Sequence, residues 1–235
     1  MFYYHYDITY IVLVLPFVFL SLWASHNVNS TYKKYNQQFS RRGITAQEAA
    51  RRILAANGVT NVEIGRISGE LTDHFDPSSN VIRLSDSVYD STSTAAIGVA
   101  CHEAGHALQY ANGYFPMKIR AAVIPITNIG SRIAMPLIIL GILFSFSAHF
   151  SNLMVNLGIL CFSTSLIFQL VTLPVEFDAS ARALRCIDES QLLTDEEFTG
   201  AKRTLRAAAL TYVAATAVAF TQLLRLLVIF SRRRD

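Results

Sequence analysis

His102-Glu103-Ala104-Gly105-His106 sets two imidazoles four residues apart, with a carboxylate beside the first. On a helix, residues four apart share a face, so both rings can reach one ion. Imidazole nitrogens suit zinc, and zinc lowers the pKa of a bound water to about 7. Glu103 projects to the side of the pair, where it can take that water's proton as the oxygen attacks a carbonyl. It can then pass the proton to a leaving amine. The spacing therefore predicts hydrolysis of peptide bonds, with one Zn2+ per chain, His102 and His106 as metal ligands and Glu103 as general base. The plainer alternative is two part-exposed histidines and a surface glutamate. Its difficulty is the flanks: Val99, Ala100, Cys101, Ala104, Ala107 and Leu108 are apolar. Polar groups in an apolar helix need partners, and a metal is one.

A catalytic zinc usually takes three protein ligands and keeps a fourth position open. His26, His74, His149 and several carboxylates are available as the third. Glu176 is the preferred choice, because a carboxylate directly after a long apolar run is costly unless it has a role. The competing account makes it an interfacial carboxylate at the start of a helix after Pro174. His74 could touch substrate or stabilise an oxyanion, but its place beside a turn favours a turn-stabilising role. His149 is assigned none.

These residues need elements to hold them, and composition says where those elements sit. Of 235 residues, 52% are hydrophobic and 16% charged. The charged share is below the quarter usual in soluble domains, which points to a membrane protein with a polar portion. Four apolar segments are long enough, or nearly so, to cross a bilayer: Ile8–Trp23, Ile133–Phe150, Leu153–Leu173 and Ala207–Phe230. The first follows MFYYHYD, which has no Lys or Arg, so a retained anchor is expected rather than a signal peptide. Tyr3, Tyr4, Tyr6 and Tyr10 would mark one interface and Trp23 the other. Ser151 and Asn152 separate the second and third segments, as in a tight helical hairpin. Arg225 lies near enough to the end of the fourth to snorkel. Arg232–Arg234 form a basic tail that suits lipid headgroups or solvent equally.

Between the first two spans, Thr45-Ala46-Gln47-Glu48 has capping-box spacing, and the helix it opens stops at Asn57-Gly58. Val59–Ile67 and Val81–Leu84 read as strands, with a turn at Asp76–Asn80 between them. Ser93–Ala111 reads as the helix that carries the motif. The expected architecture is mainly α, with about four integral membrane helices and a small α+β zincin-like catalytic portion. Five parts follow: an anchor (1–24), a membrane-adjacent α+β portion (25–132), a transmembrane hairpin (133–174), a third-ligand helix with its connector (175–206), and a C-terminal transmembrane helix with the basic tail (207–235).

Lys and Arg set the topology. Eleven lie between the first and second spans and five between the third and fourth, two stretches that four crossings place on one side. The N-terminus and the hairpin have none. The balance puts the site at the cytoplasmic face of a multi-pass membrane protein, although the basic C-terminus votes the other way. A net charge of +3 is too small to argue for nucleic acid, and none is expected as a partner. Expected partners are the lipid bilayer and a peptide or membrane-protein substrate. Three cysteines without CxxC spacing argue against a disulfide framework.

Leu71–Pro77, Cys101–Ala107 and Leu173-Pro174-Val175-Glu176-Phe177-Asp178-Ala179-Ser180 together resemble the YugP-type bacterial zinc metallopeptidases over nearly the whole chain. The pairing of HExxH with a distant Glu-Phe-x-Ala is gluzincin-like and similar to membrane peptidases of the HtpX type. This resemblance implies zinc on His102, His106 and Glu176, with Glu103 as base. It also implies that the strand at Val81–Leu84 could pair with an extended substrate. One departure stands out. The HtpX pattern has Asp four residues after the glutamate ligand, where it can orient the first histidine; here Ser180 holds that place, and the acid is Asp178. Asp178 then serves the ligand shell by another route or not at all.

Three competing readings are weaker. A site-2-type protease would carry an Asp-Gly pair, which the chain lacks. A di-iron bundle needs two ExxH motifs, and Glu103-x-x-His106 is the only one. A membrane scaffold or chaperone-like protein with a structural zinc needs a fourth ligand; Cys101 neighbours His102 but points elsewhere on the helix.

Overall fold

The computed structural model describes residues 8–144 and 146–231. Tyr3, Tyr4, Tyr6 and Arg232–Arg234, expected at an interface and in a basic tail, lie outside these. Six α-helices and three short strands make up the described chain: α1 (Leu15–Tyr35, after a π-helical turn Tyr10–Val14), α2 (Ala46–Ala56), β1 (Glu63–Ile67), β2 (His74–Asp76), β3 (Val81–Ser85), α3 (Thr94–Ala111), α4 (Phe115–Leu143), α5 (Ala148–Glu189) and α6 (Asp195–Ser231). The fold is mainly α with one small mixed sheet. Four of its helices are long and apolar enough to cross a membrane, at Tyr10–Tyr35, Phe115–Leu143, Ala148–Glu189 and Asp195–Ser231.

The chain divides into two units. One comprises residues 8–23, 118–173 and 212–231. Its helices approach each other closely at small residues, as lipid-embedded helices do. A Cβ at Gly158 would lie 2.9 Å from Ala134 O, and one at Gly141 would lie 2.9 Å from Ser151 O. The Ser151 hydroxyl donates to Gly141 O. The hairpin therefore does not turn at Ser151-Asn152. Ser151 and Asn152 lie within α5, and His149 is in its first turn rather than in a loop.

The second unit comprises residues 24–117 and 174–211. Its sheet runs β1-β3-β2, with β1 parallel and β2 antiparallel to β3. Because β3 is bonded on both sides, the expected role of Val81–Leu84 in pairing with substrate is corrected. Val81, Ile82 and Arg83 are paired on both sides, and the open edges belong to β1 and β2. Helix α3 is buried along most of its length. Ala95, Ala96, Gly98, Ala100, Ala104, Gly105 and Ala107 make it thin enough to pack against α2, the sheet and the end of α5. Ile53, Ile82, Leu84, Ile97 and Ile187 fill the core around it with no exposed area.

Both helix starts expected from sequence carry caps. The Ser93 hydroxyl accepts from Ala96 N at the head of α3. The Thr45 hydroxyl accepts from Glu48 N at 3.3 Å. The reciprocal half of the capping box is replaced, because Glu48 accepts from Arg52 Nε instead. Thr45→Ala is expected to lower stability by about 1 kcal/mol, the usual cost of an N-cap. Denaturant melts of the detergent-solubilised protein would measure it.

Helix α5 does not stop at Pro174, which lies inside it. Glu176 therefore sits on the continuation of the helix that contains the apolar segment Leu153–Leu173, not on a separate one. A proline removes one backbone hydrogen bond and strains the turn before it. Buried Val175 and Ala179 immediately beyond hold the helix in place.

Candidate metal centre

The site is built by two helix surfaces that touch backbone to backbone. A Cβ on Gly105 of α3 would lie 2.4 Å from Ala179 O of α5. Glycine is the residue that permits this approach. On α3, His102 and His106 flank Gly105. On α5, Glu176 and Ser180 flank Ala179. The contact thus sets one pair of side chains against the other. The imidazole rings lie edge to face, with centroids 4.7 Å apart.

His102 Nε2 is 3.2 Å and His106 Nε2 is 3.5 Å from the same oxygen, Glu176 Oε2. One ligand atom from each of the three residues falls within 4.8 Å of the others. Zinc bonds of about 2.0–2.1 Å at tetrahedral angles put neighbouring donors about 3.3 Å apart. Two nitrogens and a carboxylate oxygen at this spacing fit zinc, and three donors leave a fourth position for water. Glu176 is 3% exposed and His106 7%, so both need partners. His26, His74 and His149 are not in this group. His74 Nδ1 lies 2.8 Å from Thr72 O, where its N–H donates to the turn.

The outer nitrogens also have partners, which ligand histidines generally require. His102 Nδ1 is 3.1 Å from the Ser180 hydroxyl. The residue standing where the HtpX pattern has Asp therefore reaches the first histidine itself. His106 Nδ1 is 3.0 Å from Gln109 Oε1. Asp178 serves the shell by another route: Gln109 Nε2 donates to Asp178 Oδ2 at 2.8 Å and to Val175 O at 2.7 Å. Arg182 Nε donates to the same Asp178 oxygen at 2.6 Å. The sequence reading missed Gln109. Its signal was available: it lies three residues after His106, on the same face of the motif helix.

Glu103 is 8% exposed, and its Oε2 accepts from Phe75 N at 2.9 Å. Phe75 is the middle residue of β2, opposite Ile82. Its N–H therefore points away from β3, along the outer edge. Nearby Asp73 accepts from Ser85 N and from the Ser85 hydroxyl. Burial pushes the Asp73 carboxyl up against the pull of those bonds, and the Glu103 charge adds to the rise. For His106, burial disfavours the charged ring. The hydrogen bond to Glu176 and the charges of Glu103 and Glu176 outweigh it, so its pKa is raised. Burial pushes the Cys101 thiol up, away from the thiolate a metal would need.

A family model described as "Putative neutral zinc metallopeptidase" matches residues 10–231. The chain is 42% identical over 226 residues to "Putative membrane protease YugP" of Bacillus subtilis (strain 168), covering 96% of this chain and 98% of that one. No solved structure matches it. A match across all four apolar helices and the cluster of His102, His106 and Glu176 shows that the chain belongs to this zinc metallopeptidase family.

Proposed function

We propose that the protein is a multi-pass membrane peptidase in which His102, His106 and Glu176 hold one zinc ion and Glu103 is the general base. The observation that carries this reading is the convergence of both Nε2 atoms on Glu176 Oε2, at 3.2 and 3.5 Å. Bound there, zinc would polarise a peptide carbonyl and make a water acidic enough to attack it. The protein's own residues do the rest. Phe75 N–H holds Glu103 Oε2 and so tethers the carboxylate at one oxygen. With Oε2 so engaged, Oε1 would take the proton from the attacking water. The same carboxyl delivers that proton to the nitrogen of the leaving amine. Ser180 and Gln109 keep the two imidazoles facing inward.

The substrate class is peptide bonds in membrane proteins or their exposed loops. The uneven placement of Lys and Arg supports a site at the cytoplasmic face. A structural zinc in a scaffold is less well supported, because the cluster among the described residues supplies three ligands rather than the four of a closed site.

The test is zinc affinity, measured by competition with a chromophoric chelator on the full-length protein. Wild type is expected to bind one ion. Glu176→Gln is expected to weaken binding by more than the about 10–100-fold that loss of an outer partner costs. Equal affinity in the two proteins would remove Glu176 from the ligand set.

A further inference from the structure

Gln109 is fully buried, and each of its polar atoms meets a defined partner. Two of those partners can only accept: the Val175 carbonyl and the Asp178 carboxylate. Both lie within 2.8 Å of the same amide atom, which must therefore be the NH2 group. Turning the amide over would set its oxygen against two other oxygens. Burial keeps water from stepping between them. The amide has one orientation, and its oxygen faces His106 Nδ1. An amide oxygen only accepts, so Nδ1 must carry a hydrogen. In the neutral ring, Nε2 then bears the lone pair. Nε2 is the nitrogen that faces Glu176.

Ser180, on the other histidine, lacks this property. A hydroxyl both donates and accepts, and it rotates to suit, so it accommodates either form of His102. The two histidines are thus held differently, His102 by an adaptable partner and His106 by a fixed one. Arg182 extends the chain of constraint by donating to Asp178, and its guanidinium lies 5.5 Å from the centre of the Tyr114 ring.

We propose that Gln109 is a positioning residue that locks His106 in the Nδ1–H tautomer, with its orientation imposed by Val175 O and Asp178. The lock presents a ready lone pair to the ion. It rests on reading His102, His106 and Glu176 as the metal ligands.

The test uses full-length protein in detergent or nanodiscs, with two variants and two readouts. The first readout is the zinc dissociation constant from chelator competition. The second is the imidazole 15N spectrum of the metal-free protein, at a pH where the rings are neutral. Wild-type His106 is expected to keep its Nδ1–H whether or not Nε2 also carries a hydrogen toward Glu176. Gln109→Met fills the same space with an adaptable apolar chain. It is expected to give a mixture of tautomers and to weaken zinc binding about 10–100-fold. Gln109→Glu keeps an oxygen facing the ring as the neutral acid, its O–H taking the place of the amide N–H toward Asp178, and in that form it is expected to retain the Nδ1–H. An unchanged His106 tautomer in Gln109→Met overturns the proposal, whatever the zinc affinity. Should that variant not fold, loss of the Nδ1–H form in Gln109→Glu overturns it. A wild-type protein that takes up no zinc would defeat the metal-centre reading, and the tautomer comparison would still decide the lock.

Discussion

Glu103→Gln is expected to lower peptide turnover about 10²–10⁴-fold while leaving one zinc ion bound per chain. The amide keeps an oxygen for Phe75 N–H to donate to, so the side chain stays where the glutamate was. It adds no charge to a position that is 8% exposed, so the fold has no new penalty to absorb. What the amide cannot do is accept a proton from water and carry it to the leaving nitrogen. The measurement pairs zinc content with turnover of an unfolded protein substrate. Full turnover in a zinc-loaded variant would take the role of base away from Glu103 and return the scaffold reading to contention.

The second large effect concerns a residue with no functional group. Gly105→Ala should weaken zinc binding about 10²-fold or more, with only a small change in the stability of the metal-free protein. The new methyl would stand 2.4 Å from Ala179 O, 3.1 Å from its carbonyl carbon and 3.2 Å from its Cα. All three are backbone atoms and cannot rotate aside. Ordinary contact is about 1 Å longer than the closest of these, so α3 and α5 must separate. Overpacking of this kind costs about 1–3 kcal/mol, and the gain of about 1 kcal/mol from replacing a helical glycine offsets part of it. Ligand geometry has no such offset. Metal–ligand distances tolerate about 0.2 Å, and misplacement by about 1 Å in a site can cost about 10²-fold. Thermal melts of the metal-free protein beside chelator competition would separate the two effects. Wild-type zinc affinity in Gly105→Ala would show that the helix contact does not set the ligand spacing.

Local patterns were legible in the sequence. HExxH, the caps at Thr45 and Ser93, the strands at β1 and β3 and the four apolar helices each depend on residues a few positions apart. The structure brings Glu176, picked out as a charge after an apolar run, against both histidines. What depended on distant neighbours was not legible. Whether Val81–Leu84 lies at an edge or at the centre depends on β2, a three-residue strand too short to show any period. Ser151 and Asn152 looked like a break because they are polar; in the helix pair, the Ser151 hydroxyl is satisfied by Gly141 O. The partners of the imidazoles sit across a helix contact. The positions of Ser180 and Gln109 on their helices were visible, but the partner each meets across that contact was not.

The bond from Phe75 to Glu103 has a consequence for how a polypeptide can be received. An extended chain laid along the outer rim of β2 would look for a donor at its middle residue and find that hydrogen already engaged by the base. Guest and glutamate compete for a single proton. A visitor that wins it unleashes the carboxylate at the moment of docking, and one that adopts a register skipping Phe75 leaves the leash on.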